Sequence, residues 1–127
     1  MKKILFGILG LVVIVALALT FKTPNVGGLL TGDNFINKYK ETPGAVLLDV
    51  RTPFEFTTSH IPDAANVDYE NINFKDEVKK LDNSKTYFVY CRSGNRSAKA
   101  ITIMKNEGIK NIYELQGGIS TYPELLE

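Results

Sequence analysis

After Met1-Lys2-Lys3 the chain runs through 18 uncharged residues, Ile4–Phe21, and then breaks into short apolar runs that alternate with periodic, polar segments. Asp33–Glu41 carries Phe35, Ile36 and Tyr39 at helical spacing, with Thr31 or Asp33 near its N-cap. Ala45–Val50 is a nearly continuous apolar run, the pattern of a strand covered on both faces. Pro53–Ser59 reads as a short helix with proline in its first turn, and Ala65–Asp68 as a short strand. Phe74–Leu81 is a predicted helix and Thr86–Tyr90 a second buried strand, rich in aromatic and β-branched residues. Ser97–Glu107 follows as a helix with Ala100, Ile101 and Met104 on one side and Gly108 as its C-terminal cap; Asn111–Leu115 is the last strand. This βαβα rhythm predicts the α/β class, with a central, mostly parallel sheet and helices on both faces. Such sheets bind ligands at the carboxyl ends of their strands.

The opening run is a different object. As a helix it spans roughly 27 Å, enough to cross a bilayer core. Lys2 and Lys3 precede it and favour a cytoplasmic N-terminus. Residues 1–22 are therefore expected to form an N-terminal hydrophobic helix, a transmembrane anchor that leaves the domain extracytoplasmic at the cell membrane. A cleaved signal peptide is the competing expectation, because Ala16-Leu17-Ala18 has the small-x-small pattern, and the domain would then be secreted. Residues 23–28, with Pro24, Gly27 and Gly28, read as a linker, which leaves 29–127 as one domain.

Charge narrows the function. Lys2, Lys3 and Lys22 are three of the 15 basic residues and none of the 14 acidic ones precedes Asn25, so the exported part carries about −2. That balance argues against nucleic acid as a partner. Cys91 is the single cysteine and His60 the single histidine, too few for a disulfide framework or a soft-metal cage.

Two predicted strands end in polar clusters, Asp49-Val50-Arg51 and Cys91-Arg92-Ser93-Gly94-Asn95-Arg96-Ser97, and all three arginines of the chain fall within them. Cys91 stands where a strand ends and Asn95–Ser97 where a helix opens. Gly94 permits a left-handed turn, so successive backbone N–H groups of Arg92–Ser97 can converge as an anion nest. The helix N-terminus, Arg92 and Arg96 add positive charge. All of these favour thiolate over thiol, which makes Cys91 a candidate nucleophile, whereas an inert buried cysteine would need neither the glycine nor the arginines.

The motifs Leu47-Leu48-Asp49-Val50-Arg51-Thr52-Pro53-Phe54-Glu55-Phe56, His60-Ile61-Pro62-Asp63-Ala64-Ala65-Asn66, Cys91–Ser97 and Gly117-Gly118, in that order, resemble single-domain rhodaneses over roughly Leu29–Leu126. The resemblance implies a rhodanese-like fold and a sulfurtransferase. Cys91 would take a sulfane sulfur from a donor such as thiosulfate, hold it as a persulfide and pass it to cyanide or a thiol. It implies no metal and no organic cofactor. The family commonly has tryptophan a few residues after Gly117-Gly118, where Tyr122 is the nearest aromatic here.

Attack of a thiolate on the outer sulfur of thiosulfate releases sulfite. Arg92 and Arg96 are placed to hold the sulfonate oxygens, and the loop N–H groups to stabilise the persulfide anion. Arg51 and Glu55, four apart, are expected to pair at the rim of the site, and Asp49 to anchor the neighbouring loop. His60 reads as a hydrogen-bonded turn residue, and Tyr87 and Tyr90 as core. Two rival functions remain at this point. A cysteine phosphatase of the cell-cycle type needs five residues between cysteine and arginine, and four separate Cys91 from Arg96. A non-catalytic, membrane-tethered binding module would not need the cysteine or its complete loop.

Overall fold

A computed structural model describes residues 27–127. Its elements are β1 (Gly27–Leu30), α1 (Gly32–Glu41), β2 (Val46–Asp49), α2 (Pro53–Thr58), β3 (Ala65–Asn66), α3 (Phe74–Lys79), β4 (Thr86–Tyr90), α4 (Asn95–Asn106), β5 (Asn111–Leu115) and a closing 3-10 turn, Pro123–Leu125. The strands form one sheet in the order β1-β5-β4-β2-β3, and each pairing is parallel. The predicted hydrophobic helix at 1–22 lies outside the described residues. Among the described residues no helix is long and apolar enough to cross a membrane.

Strand alternation divides the core in two. Along β4 and the residue after it, Tyr87, Val89 and Cys91 turn to one side, where they meet Phe74 and Val78 of α3 and Ala100 and Met104 of α4. Phe88 and Tyr90 turn to the other, against Phe35 of α1, Ile61 and Ile119. Phe88 is the hub of that second layer, edge-on to Phe35 and Tyr39 and stacked on Tyr113. Burying one such side chain contributes about 1.5–3 kcal/mol, so the central strands are the best-anchored part of the fold. Helices thus cover both faces, as the βαβα rhythm predicts, and Cys91 is held at the end of the best-packed strand.

Three glycines shape the fold locally, each for a different reason. Gly27 and Gly28, read as linker, belong to β1. A Cβ at Gly27 would collide with the Ile112 carbonyl of β5, so this glycine marks strand contact rather than flexibility. Gly32 has no Cβ to obstruct Tyr122, whose ring would lie 2.5–2.9 Å from one, and the aromatic after the glycine pair thereby seats on the start of α1. Gly108 caps α4 as expected, with φ 95°; its N–H reaches Lys105 O and the Ile109 N–H reaches Met104 O. These are the two bonds of a Schellman motif.

Candidate active site

Helix α4 begins at Asn95, two residues before its predicted start, because Gly94 adopts φ 95° and turns the chain directly from loop into helix. No side chain of Gly94 exists to cap the helix. The sulfur of Cys91 does so instead: the Ser97 N–H donates to Sγ at 3.3 Å and the Gly94 N–H at 3.1 Å. The Ser97 amide is the third of the helix, the donor that an N-cap side chain ordinarily satisfies. A sulfur carrying negative charge would gain from both bonds and from the positive helix terminus. Cys91 is fully buried beneath the loop that it opens. Its carbonyl accepts from Ile119 N at 2.9 Å and the Arg92 carbonyl from Ser120 N at 2.8 Å, which ties the loop to the segment after β5.

Gly118 makes this clamp possible. It has φ 68°, and a Cβ there would stand 2.7 Å from Ser93 N and closer still to the Arg92 carbonyl. Only a residue without a side chain lets the two backbones lie together.

The expected Arg51–Glu55 pair does not form. Arg51 instead binds the fully buried Asp49, with Nη2 2.7 Å and Nε 2.9 Å from Oδ2, and Asp49 Oδ1 also accepts the Arg51 N–H at 2.8 Å. Burial works against the Arg51 charge, and the hydrogen bonds and charge of Asp49 more than offset it, so the guanidinium pKa rises. Arg51 also donates to the Ser59 carbonyl at 2.7 Å and lies over the Tyr90 ring, fixing the chain after α2. Asp49 thus ties the backbone and the guanidinium of Arg51 to the end of β2. Burial, and then the charge of Asp49, push the Tyr90 hydroxyl well above the ordinary range; its oxygen accepts the Ile61 N–H at 3.0 Å.

Glu55 pairs with Arg96 instead, in a two-pronged contact at 2.7 and 3.0 Å. The Arg96 hydrogen bonds hold the Glu55 carboxyl down at about 2, against partial desolvation and with help from the Arg96 charge. Thr52 caps α2 by accepting the Glu55 N–H, and its hydroxyl donates to Glu55 Oε1, so the helix start presents this carboxylate. Glu70 approaches Arg96 to 3.8 Å. Arg96 is thus committed to carboxylates. Arg92 is exposed and lines a cleft of about 370 Å³ together with Phe54, Ser59, Ile119 and Ser120. Ser93 and Asn95 are exposed beside it. A larger hollow of about 610 Å³ lies at the amino ends of β1 and β5 and holds none of the predicted site residues.

His60 is structural: its Nδ1 bonds the Phe56 carbonyl at 2.8 Å, its ring stacks on Phe56, and its backbone pairs with Glu127. Tyr87 and Tyr90 are buried in the two core layers. One group escaped the sequence reading. Glu114 Oε2 accepts the Ser97 hydroxyl at 2.6 Å, and that hydroxyl oxygen accepts from Cys91 Sγ at 3.4 Å. The available signal was a carboxylate at an inward-facing position of a strand, in phase with the buried Ile112.

A family model described as the rhodanese-like domain matches residues 34–124. The thiosulfate sulfurtransferase GlpE of Pseudomonas syringae is 36% identical over 85 residues, 64% of this chain and 78% of that protein. A tRNA uridine(34) hydroxylase of Pectobacterium carotovorum is 33% identical over 109 residues, but those are 81% of this chain and only 30% of that protein. A rhodanese-like domain protein of Staphylococcus aureus superposes with TM-score 0.68 at 27% identity, over 79% of this chain and 96% of that one. A rhodanese-related protein of Thermoplasma volcanium gives TM-score 0.64 at 29% identity, over 75% and 89%. With the matched segment covering all but the edges of the described residues, the chain belongs to the rhodanese-like domain family.

Proposed function

We propose that this protein is a sulfurtransferase that moves a sulfane sulfur from a donor such as thiosulfate to a nucleophilic acceptor through a persulfide on Cys91. The observation that carries the proposal is the pair of loop amides, Gly94 and Ser97, aimed at a sulfur that caps the N-terminus of α4. The likeness to a protein named thiosulfate sulfurtransferase supports it. In the first half-reaction the Cys91 thiolate attacks the outer sulfur of thiosulfate, a Cys91 S–S bond forms, the donor S–S bond breaks and sulfite departs with the electron pair. In the second, cyanide or a thiolate takes the outer sulfur and Cys91 leaves as thiolate. Arg92, exposed on the cleft, is the arginine free to meet the sulfonate; Arg96 shapes the loop from its pairing with Glu55. The hydroxylase relatives extend far beyond the matched region, so their named activity does not transfer.

The apolar run Ile4–Phe21 supports a location at the cell membrane with the domain outside the cytoplasm, either anchored or released by cleavage. The test of the chemistry is a thiosulfate–cyanide assay on the full chain beside Cys91→Ser. Transfer should vanish in the variant while its circular dichroism is unchanged, and mass spectrometry after thiosulfate should place one added sulfur on Cys91. Transfer that persists in Cys91→Ser removes the proposed intermediate.

A further inference from the structure

Of the bonds around Cys91, one ends on a side chain that the two half-reactions do not use. Glu114 lies on β5 in phase with Ile112, which turns it toward α4 and the cysteine. The Ser97 hydroxyl has a single hydrogen and three neighbours able to accept it: Glu114 Oε2 at 2.6 Å, the Gly94 carbonyl at 3.2 Å and Cys91 Sγ at 3.4 Å. A carboxylate at the shortest of these distances forms the strong, charge-assisted bond, so Glu114 holds the hydrogen. Ser97 is left with oxygen lone pairs toward the sulfur.

A lone pair suits a thiol, or a sulfur without net charge, and opposes a thiolate. In a persulfide Sγ is bonded to a second sulfur, and the charge has moved to that outer atom. We infer that Glu114 is a positioning residue: by holding the Ser97 hydrogen away from Sγ, it raises the free thiolate relative to the persulfide and so favours the sulfur-loaded protein. The inference rests on the persulfide reading of Cys91. The exchange it biases is Cys91 thiolate plus thiosulfate giving Cys91 persulfide plus sulfite. One S–S bond breaks, one forms, the charge is equal on both sides and no proton moves.

The test equilibrates the full chain with thiosulfate and sulfite at a fixed ratio, at a pH alkaline enough that loading no longer changes with pH. Intact mass then gives the ratio of loaded to free protein. Glu114→Gln keeps the side-chain shape without the charge, which frees the Ser97 hydrogen to turn to the thiolate. The loaded-to-free ratio should fall about tenfold, the gain of one charge-assisted hydrogen bond. In a Ser97→Ala background the same substitution should change the ratio less than about twofold, since its route is gone. Should the glutamine variant not fold, Glu114→Asp, one methylene short of Ser97, carries the same expectation. Equal loading in Glu114→Gln and wild type overturns the inference, as does a tenfold fall that persists without Ser97. A wild-type protein that takes no sulfur on Cys91 overturns the sulfur-transfer reading itself.

Discussion

The Glu55–Arg96 contact sets a pH dependence that can be worked out from its geometry. Two hydrogen bonds from Arg96 hold the Glu55 carboxyl at about 2 against an ordinary 4.5. The folded protein therefore binds this proton less readily than the unfolded chain does. The resulting stability is fully present above pH 4.5 and is lost as the pH falls toward 2. A gap of that size corresponds to about 3 kcal/mol at neutral pH. The Glu55 side chain is 26% exposed, however, and solvent screening reduces the expected contribution to about 1–2 kcal/mol. Glu55→Gln keeps one acceptor oxygen for Arg96 and removes the charge. Urea unfolding at pH 7 should show the variant less stable by about 1–2 kcal/mol, or lower in Tm by about 5–10 °C for a domain of this size. Near pH 3 the difference between the two proteins should shrink to less than about half. Other carboxylates titrate alike in both, so the difference isolates Glu55. A gap that stays constant from neutral to acid pH would refute the pairing as its source.

Asp49→Asn should destabilise the domain by about 3 kcal/mol, read from urea midpoints, because it leaves the buried Arg51 guanidinium without its counter-charge. Protease added to intact cells should digest the domain if the N-terminal run places it outside the cytoplasm, and protection would reverse that topology. Recovery of a chain beginning near Leu19 would establish cleavage over anchoring.

What could be read from the sequence was what the chain encodes locally. Cysteine, left-handed glycine and helix start lie within seven consecutive residues, so strand, turn and helix preferences alone place Cys91 against the amides of Gly94 and Ser97. Choices of partner across the sheet were not legible. Arg96 takes Glu55 from 41 residues away, and Ser97 takes Glu114 from 17 away. Arg51 and Glu55, four apart, do not pair because Arg51 precedes the N-cap Thr52 and the two do not share a helix face. Asp49, at the end of a strand two residues earlier, is the nearer carboxylate in the fold. Gly27 misled in the same way, since a glycine needed for strand contact and one in a linker look alike until the neighbouring strand is known.

Gly118 offers the sharpest separation between backbone strain and site geometry. Its φ of 68° and the φ of 70° at Gly44 disfavour a side chain equally, and alanine at either position costs about 1–2 kcal/mol of strain. A Cβ at Gly44 meets nothing within 4 Å. One at Gly118 meets the backbone of Arg92 and Ser93, which no rotamer change can relieve. Relief there requires the loop to move away from Ile119 and Ser120, whose N–H groups hold the carbonyls of Cys91 and Arg92. A shift near 1 Å turns the Gly94 and Ser97 amides off the sulfur, and misplacement on that scale costs about a hundredfold in rate. Gly44→Ala should thus lose stability and keep sulfur transfer. Gly118→Ala should lose more stability and about a hundredfold in kcat/KM for thiosulfate, measured at a temperature where both variants are folded by circular dichroism. If the two variants transfer sulfur at equal rates, the clamp between the glycine pair and the cysteine loop does not set the geometry of the site, and the positive φ alone accounts for the glycine.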